Sequence, residues 1–104
     1  MNTEQTTIAT INRWFDDPTG LVPEGDTFVG VLVFERLTPV KRGPMRIGIA
    51  IDTYMQRRWE RDPTMTMPFS TLPSAAWKGA KVVGLGTTRE EALVLLFPDS
   101  QRSG

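Results

Sequence analysis

The sequence contains no histidine and no cysteine, and its 12 Lys plus Arg are balanced by 12 Asp plus Glu. Without an imidazole or a thiol, the chain cannot build a Ser-His-Asp triad, a thiolate nucleophile, a histidine general acid or a zinc site of the usual Cys/His kind. Carboxylate chemistry, lysine chemistry and phosphoryl transfer using main-chain amides with an oxygen-bound metal survive that exclusion. The missing cysteines also rule out a disulfide framework, which fits a reducing compartment without requiring one. Zero net charge leaves no overall field toward nucleic acid or an anionic membrane, and an acidic mimic of nucleic acid would need a large excess of carboxylates. The longest fully apolar run, Ala92 to Phe97, falls far short of the roughly 20 residues of a membrane span. The start, Met1-Asn2-Thr3-Glu4-Gln5, lacks the basic residues and apolar stretch of a signal peptide. The resulting expectation is a cytoplasmic protein with no cofactor, no metal site and no membrane association.

A length of 104 residues suits one domain spanning 1–104, with 1–4 and 99–104 frayed. At this size only about two-thirds of the unfolded surface is buried, so the core is thin and a partner surface would add to stability. Ile8, Ile11 and Phe15 fall at helical spacing, Trp14 widens the stripe, and Pro18 stops it, which predicts a helix over 3–16. Prolines and glycines mark 16–26 as a loop. Thr27 to Arg36 reads as a strand with no polar residue between Phe28 and Phe34. Both of its faces are apolar, as expected for a strand covered on both sides by helices or by a partner chain, and a homodimer would explain the pattern equally.

A turn-like stretch, 38–44, leads to a run in which Met45, Ile47, Ile49 and Ile51 share one face and Arg46, Gly48, Ala50 and Asp52 the other. A hairpin is the simplest reading. Beyond Asp52 two periods compete, because Ile51, Tyr54, Met55, Arg58 and Trp59 also fit a helical stripe ending before Pro63. Strand and helix both remain open for 52–62. Residues 62–76 read as an ordered loop pinned by Met65, Met67 and Phe69. Lys78 to Leu85 reads as a strand ended by glycines, after which Thr87 or Thr88 caps a helix running to about Phe97. Glu90 or Glu91 completes a capping box. The order of elements predicts an α+β fold, a small antiparallel sheet of three or four strands with an N-terminal and a C-terminal helix packed on one face.

Among polar features, Arg57-Arg58-Trp59-Glu60-Arg61 is the most concentrated, and Lys41 with Arg42 would extend it into a basic, aromatic-bearing patch. Three readings stay open for it. The patch suits a protein interface, where Trp and Arg are enriched among hot spots; it suits phosphates and stacked bases; or Trp59 packs in the core while the arginines are solvated. Trp14 and Trp77 read as core or loop anchors. Glu35 and Asp52 are strand carboxylates that a hairpin could bring together around Mg²⁺, unless Arg36 or Arg46 pairs with them. Gly84-Leu85-Gly86-Thr87-Thr88 either offers helix N-terminal amides to an anion or is a capped turn.

The run Gly86-Thr87-Thr88-Arg89-Glu90-Glu91-Ala92-Leu93 resembles the strand-to-helix junction of HicB-type antitoxins, and Phe69-Ser70-Thr71-Leu72-Pro73 echoes the segment that precedes it there. The junction itself covers under a tenth of the chain, and the resemblance implies an antitoxin-like regulatory role. By class, a short, neutral, motif-poor domain is also similar to inhibitors encoded by phages and mobile elements, anti-CRISPR proteins among them. The leading expectation is a non-catalytic protein-binding module, an inhibitor of a larger machine, using Arg57, Arg58, Trp59, Arg61, Lys41 and Arg42. The alternatives are an RNA- or DNA-binding regulator using the same basic residues and a carboxylate-dependent enzyme built on Asp52 and Glu35.

Overall fold

The structure is a computed structural model that describes residues 3–38 and 44–98. In chain order it comprises α1 (Thr3–Asp16), β1 (Phe28–Glu35), β2 (Arg46–Asp52), α2 (Thr53–Arg61), β3 (Lys81–Gly86) and α3 (Arg89–Leu96). Two short 3-10 turns, Phe69–Thr71 and Ala75–Trp77, punctuate the stretch between α2 and β3. The strands form one antiparallel sheet in the order β2-β1-β3, with β1 at its centre.

The unbroken apolar run of β1 is explained by two cores, one on each face of the sheet. Leu32 and Phe34 pack with Ile51, Met67, Trp77 and Ala80 on one face, where α2 contributes Met55 and Trp59. Val31 and Val33 pack on the other face with Ile11 of α1 and with Ala92 and Leu96 of α3. The N-terminal and C-terminal helices therefore share one face, as the sequence predicts, while α2 and the segment before β3 close the opposite one. All four β1 side chains from Val31 to Phe34 are fully buried. Each contributes about 1.5–3 kcal/mol of burial free energy before chain entropy is counted. Because this chain alone covers both faces of β1, the strand does not call for a partner.

Small residues let α3 lie close against the sheet. A Cβ added at Gly86 would come within 2.5 Å of the main-chain nitrogen of Ala92. At Gly84 it would meet the Leu95 side chain at 3.1 Å. The helix begins where Thr88 Oγ1 accepts from the Glu91 N–H at 3.2 Å. Reciprocally, the Glu91 carboxylate accepts from the N–H and the hydroxyl of Thr87, both at 3.0 Å. This is a capping box displaced by one residue, since the carboxylate reaches the residue before the cap and not the cap itself.

The ambiguity at 52–62 resolves into a helix. Asp52 ends β2, and its carboxylate accepts from the Met55 N–H at 2.9 Å as the N-cap of α2. At the other end the Asp62 N–H donates to the carbonyls of Arg58 and Trp59, and Pro63 cannot continue the helix. In the following loop Met65 and Met67 are buried as expected, but Phe69 is 78% exposed and does not anchor it. Trp77, in the second 3-10 turn, supplies the aromatic anchor instead, with the Arg36 guanidinium 4.7 Å from its ring centroid. That turn also delays β3 until Lys81. At the N-terminus α1 spans Thr3–Asp16, the range that the sequence predicts. No helix among the described residues is long and apolar enough to cross a membrane.

Candidate recognition surface

The face of α2 turned toward the sheet is set by Met55 and Trp59, one helical turn apart, both packed against the core. The remaining positions must then face outward. Tyr54, Arg57 and Arg61 recur at helical spacing on that outer side, and Arg58 is exposed beside them. Tyr54 is 65% exposed. Together with Thr53, Glu60 and Asp26 of the loop before β1, Tyr54, Arg57 and Arg61 line an open groove of about 590 Å³.

Of the residues expected to form a binding patch, Arg57, Arg58 and Arg61 are thus on one exposed helix. Trp59 is half-buried against the core and is not part of the groove. Lys41 and Arg42 lie outside the described residues. Tyr54, and not Trp59, is the aromatic residue that lines the groove. Its signal was present in the sequence, three residues before Arg57 and seven before Arg61, but it depended on reading 52–62 as helix.

The two ion pairs formed among the described residues are Arg46 with Glu35 at 2.8 Å and Arg89 with Glu90 at 3.1 Å. Arg57, Arg58 and Arg61 take part in neither, so their guanidinium groups keep their donor forks available for carboxylates. The groove also carries Asp26 and Glu60, so it presents two carboxylates beside two guanidinium groups. A surface of mixed sign suits the mixed charges of a protein partner better than the single sign of a phosphate backbone.

The other chemical candidates are occupied by structural duties. Glu35 lies opposite Arg46 and Asp52 opposite Phe28, so the two carboxylates sit at opposite ends of the hairpin, roughly 20 Å apart along the strand. The hairpin does not bring them together. Glu35 is held by Arg46, which also donates to the Leu95 carbonyl in the last turn of α3, and Asp52 is committed to the α2 cap. At the start of α3, the Glu91 carboxylate takes the Thr87 amide that an anion would have used. Among the described residues no group of three or more acidic side chains is placed to hold a metal ion. No family model, curated protein or solved structure matches this chain.

Proposed function

We propose that this protein is a binding module that recognises another protein through the outer face of α2, with Tyr54, Arg57 and Arg61 as its principal contacts. The observation that carries the reading is the union, on one capped helix, of a largely exposed tyrosine with arginines that have no ion-pair partner among the described residues. Tyr and Arg are, with Trp, enriched among interface hot spots, and a helix packed on a sheet fixes their main chain before binding. Such a domain acts by occupying a surface of its partner, the mode of a small inhibitor. The test is affinity capture from the source cell with the native chain, Tyr54→Ala and Arg57→Ala. A partner recovered with the native chain should bind each variant at least about tenfold more weakly, the cost of losing one hot spot. Undiminished recovery with both variants would remove α2 from the interface.

A nucleic-acid reading draws on the same three arginines, and Asp26 and Glu60 in the groove count against it. It requires affinity that falls steeply with salt, and absence of binding to RNA and DNA at low salt would end it.

A further inference from the structure

The sheet has two edges, and they are protected unequally. At the β3 edge, Thr66 forms a bridge with Lys81, the Met67 N–H donates to the Ala80 carbonyl at 2.9 Å, and Lys81 is an exposed charge on the strand. Coverage by a neighbouring segment and an edge lysine are both devices that discourage pairing with another chain. Along the β2 edge no described segment pairs, and its charges, Arg46 and Asp52, stand only at its ends. Its central residues, Ile47-Gly48-Ile49-Ala50-Ile51, are uncharged and contain no proline, and no other described segment forms a main-chain bond to them beyond β1.

The direction of the free groups follows from the register. The Arg36 N–H donates to the Met45 carbonyl at 3.0 Å, one step beyond the Glu35–Arg46 pair. In an antiparallel ladder, bonded and non-bonded pairs alternate, so Ile47 and Ile49 direct their main-chain groups to β1. Gly48 and Ala50 direct theirs outward.

We propose that β2 is the pairing edge of a symmetric homodimer, in which two copies align their β2 strands antiparallel about Ile49 and join their sheets. The strand is self-complementary in that register. Ile49 meets Ile49 of the second copy, Ile47 meets Ile51, Gly48 meets Ala50, and Arg46 meets Asp52. Apolar residues fall opposite apolar ones on the face of the first core. Gly48 and Ala50 exchange N–H···O=C bonds across the axis, satisfying the groups left free at the edge. Arg46 is held by Glu35 and the Leu95 carbonyl and Asp52 by the Met55 N–H, so the pairing rests on the five central residues of the strand. The symmetric register makes a second copy a better occupant than an unrelated strand, and the inference does not depend on the α2 surface.

Hydrogen exchange on the native chain, followed over a concentration series alongside sedimentation velocity, tests this directly. The chain should sediment as a dimer at high concentration, and the Gly48 and Ala50 amides should exchange about tenfold faster on dilution, while those of Ile47 and Ile49 stay protected by β1. Because the native sequence has no cysteine, Ile49→Cys also gives a unique cross-link. Non-bonded antiparallel partners lie about 4.5 Å apart at Cα, within disulfide range. Mild oxidation should join Ile49→Cys chains and leave Val83→Cys chains, on β3, unjoined. A native chain that stays monomeric throughout, free exchange of Gly48 and Ala50 at every concentration, or cross-linking through Val83 in preference to Ile49 would overturn the proposal.

Discussion

Asp52 closes one element and opens the next, and the whole placement of α2 depends on that dual role. Its carboxylate satisfies the Met55 N–H, one of the donors a helix start leaves without an internal partner. Replacing Asp52 with Ala should cost about 1 kcal/mol in urea unfolding, whereas Asn, an equally good cap, should cost much less. Gly86 faces a different constraint. The clash of any Cβ there is with the backbone of Ala92, which cannot rotate away as a side chain would. Gly86→Ala should therefore destabilise by about 1–3 kcal/mol, as over-packing does, while truncation of the exposed Val83 to Ala should change little. Thermal melts of the two variants side by side distinguish packing at α3 from a loss of strand propensity.

Among the elements, β1 and α3 were legible from the sequence because each carries a local signal that nothing else contradicts. An apolar run of strand length between turn signals, and a Thr with Glu three residues on, each have one physical explanation. α2 was not legible in the same way, since Ile51 belongs at once to the alternation of β2 and to a helical stripe. The hydrogen bond from the Met55 N–H to Asp52 decides the matter, and it depends on three-dimensional placement. The same ambiguity hid Tyr54 and left Trp59 open between the surface and the core, where its spacing from Met55 puts it. Phe69 was misread for another reason. The loop has several apolar side chains, and only the position of the 3-10 turns determines that Trp77 is buried and Phe69 is not.

The start of α3 also makes a pH-dependent contribution. Its own main-chain N–H, and then Arg89, hold the Glu90 carboxyl below the ordinary glutamate value. A carboxyl whose folded value is lowered stabilises the fold above its unfolded value, and that contribution is lost as pH falls through the folded one. Glu90→Gln should therefore lower the melting temperature slightly at neutral pH, and the difference from the native chain should vanish in strong acid. An NMR titration of Glu90 should place its midpoint below the ordinary value.

For the molecule as a whole, a sheet cored on both faces leaves recognition to helices and edges. Mixed charge, a largely exposed tyrosine and arginines without ion-pair partners among the described residues converge on the outer face of α2. The composition excludes histidine and cysteine chemistry. The absence of those residues does not itself locate a surface; the proposed one rests on the helical placement of Tyr54.

Site-specific photo-cross-linking tests that central claim most directly. A photoreactive phenylalanine analogue placed at Tyr54, and separately at the exposed Val94 of α3, would be irradiated in the source cell. A cross-linked partner is expected from position 54, absent from position 94 and lost when Arg57 and Arg61 are both changed to Ala. Cross-linking from position 94 alone, or a product from position 54 that survives loss of both arginines, would contradict that claim.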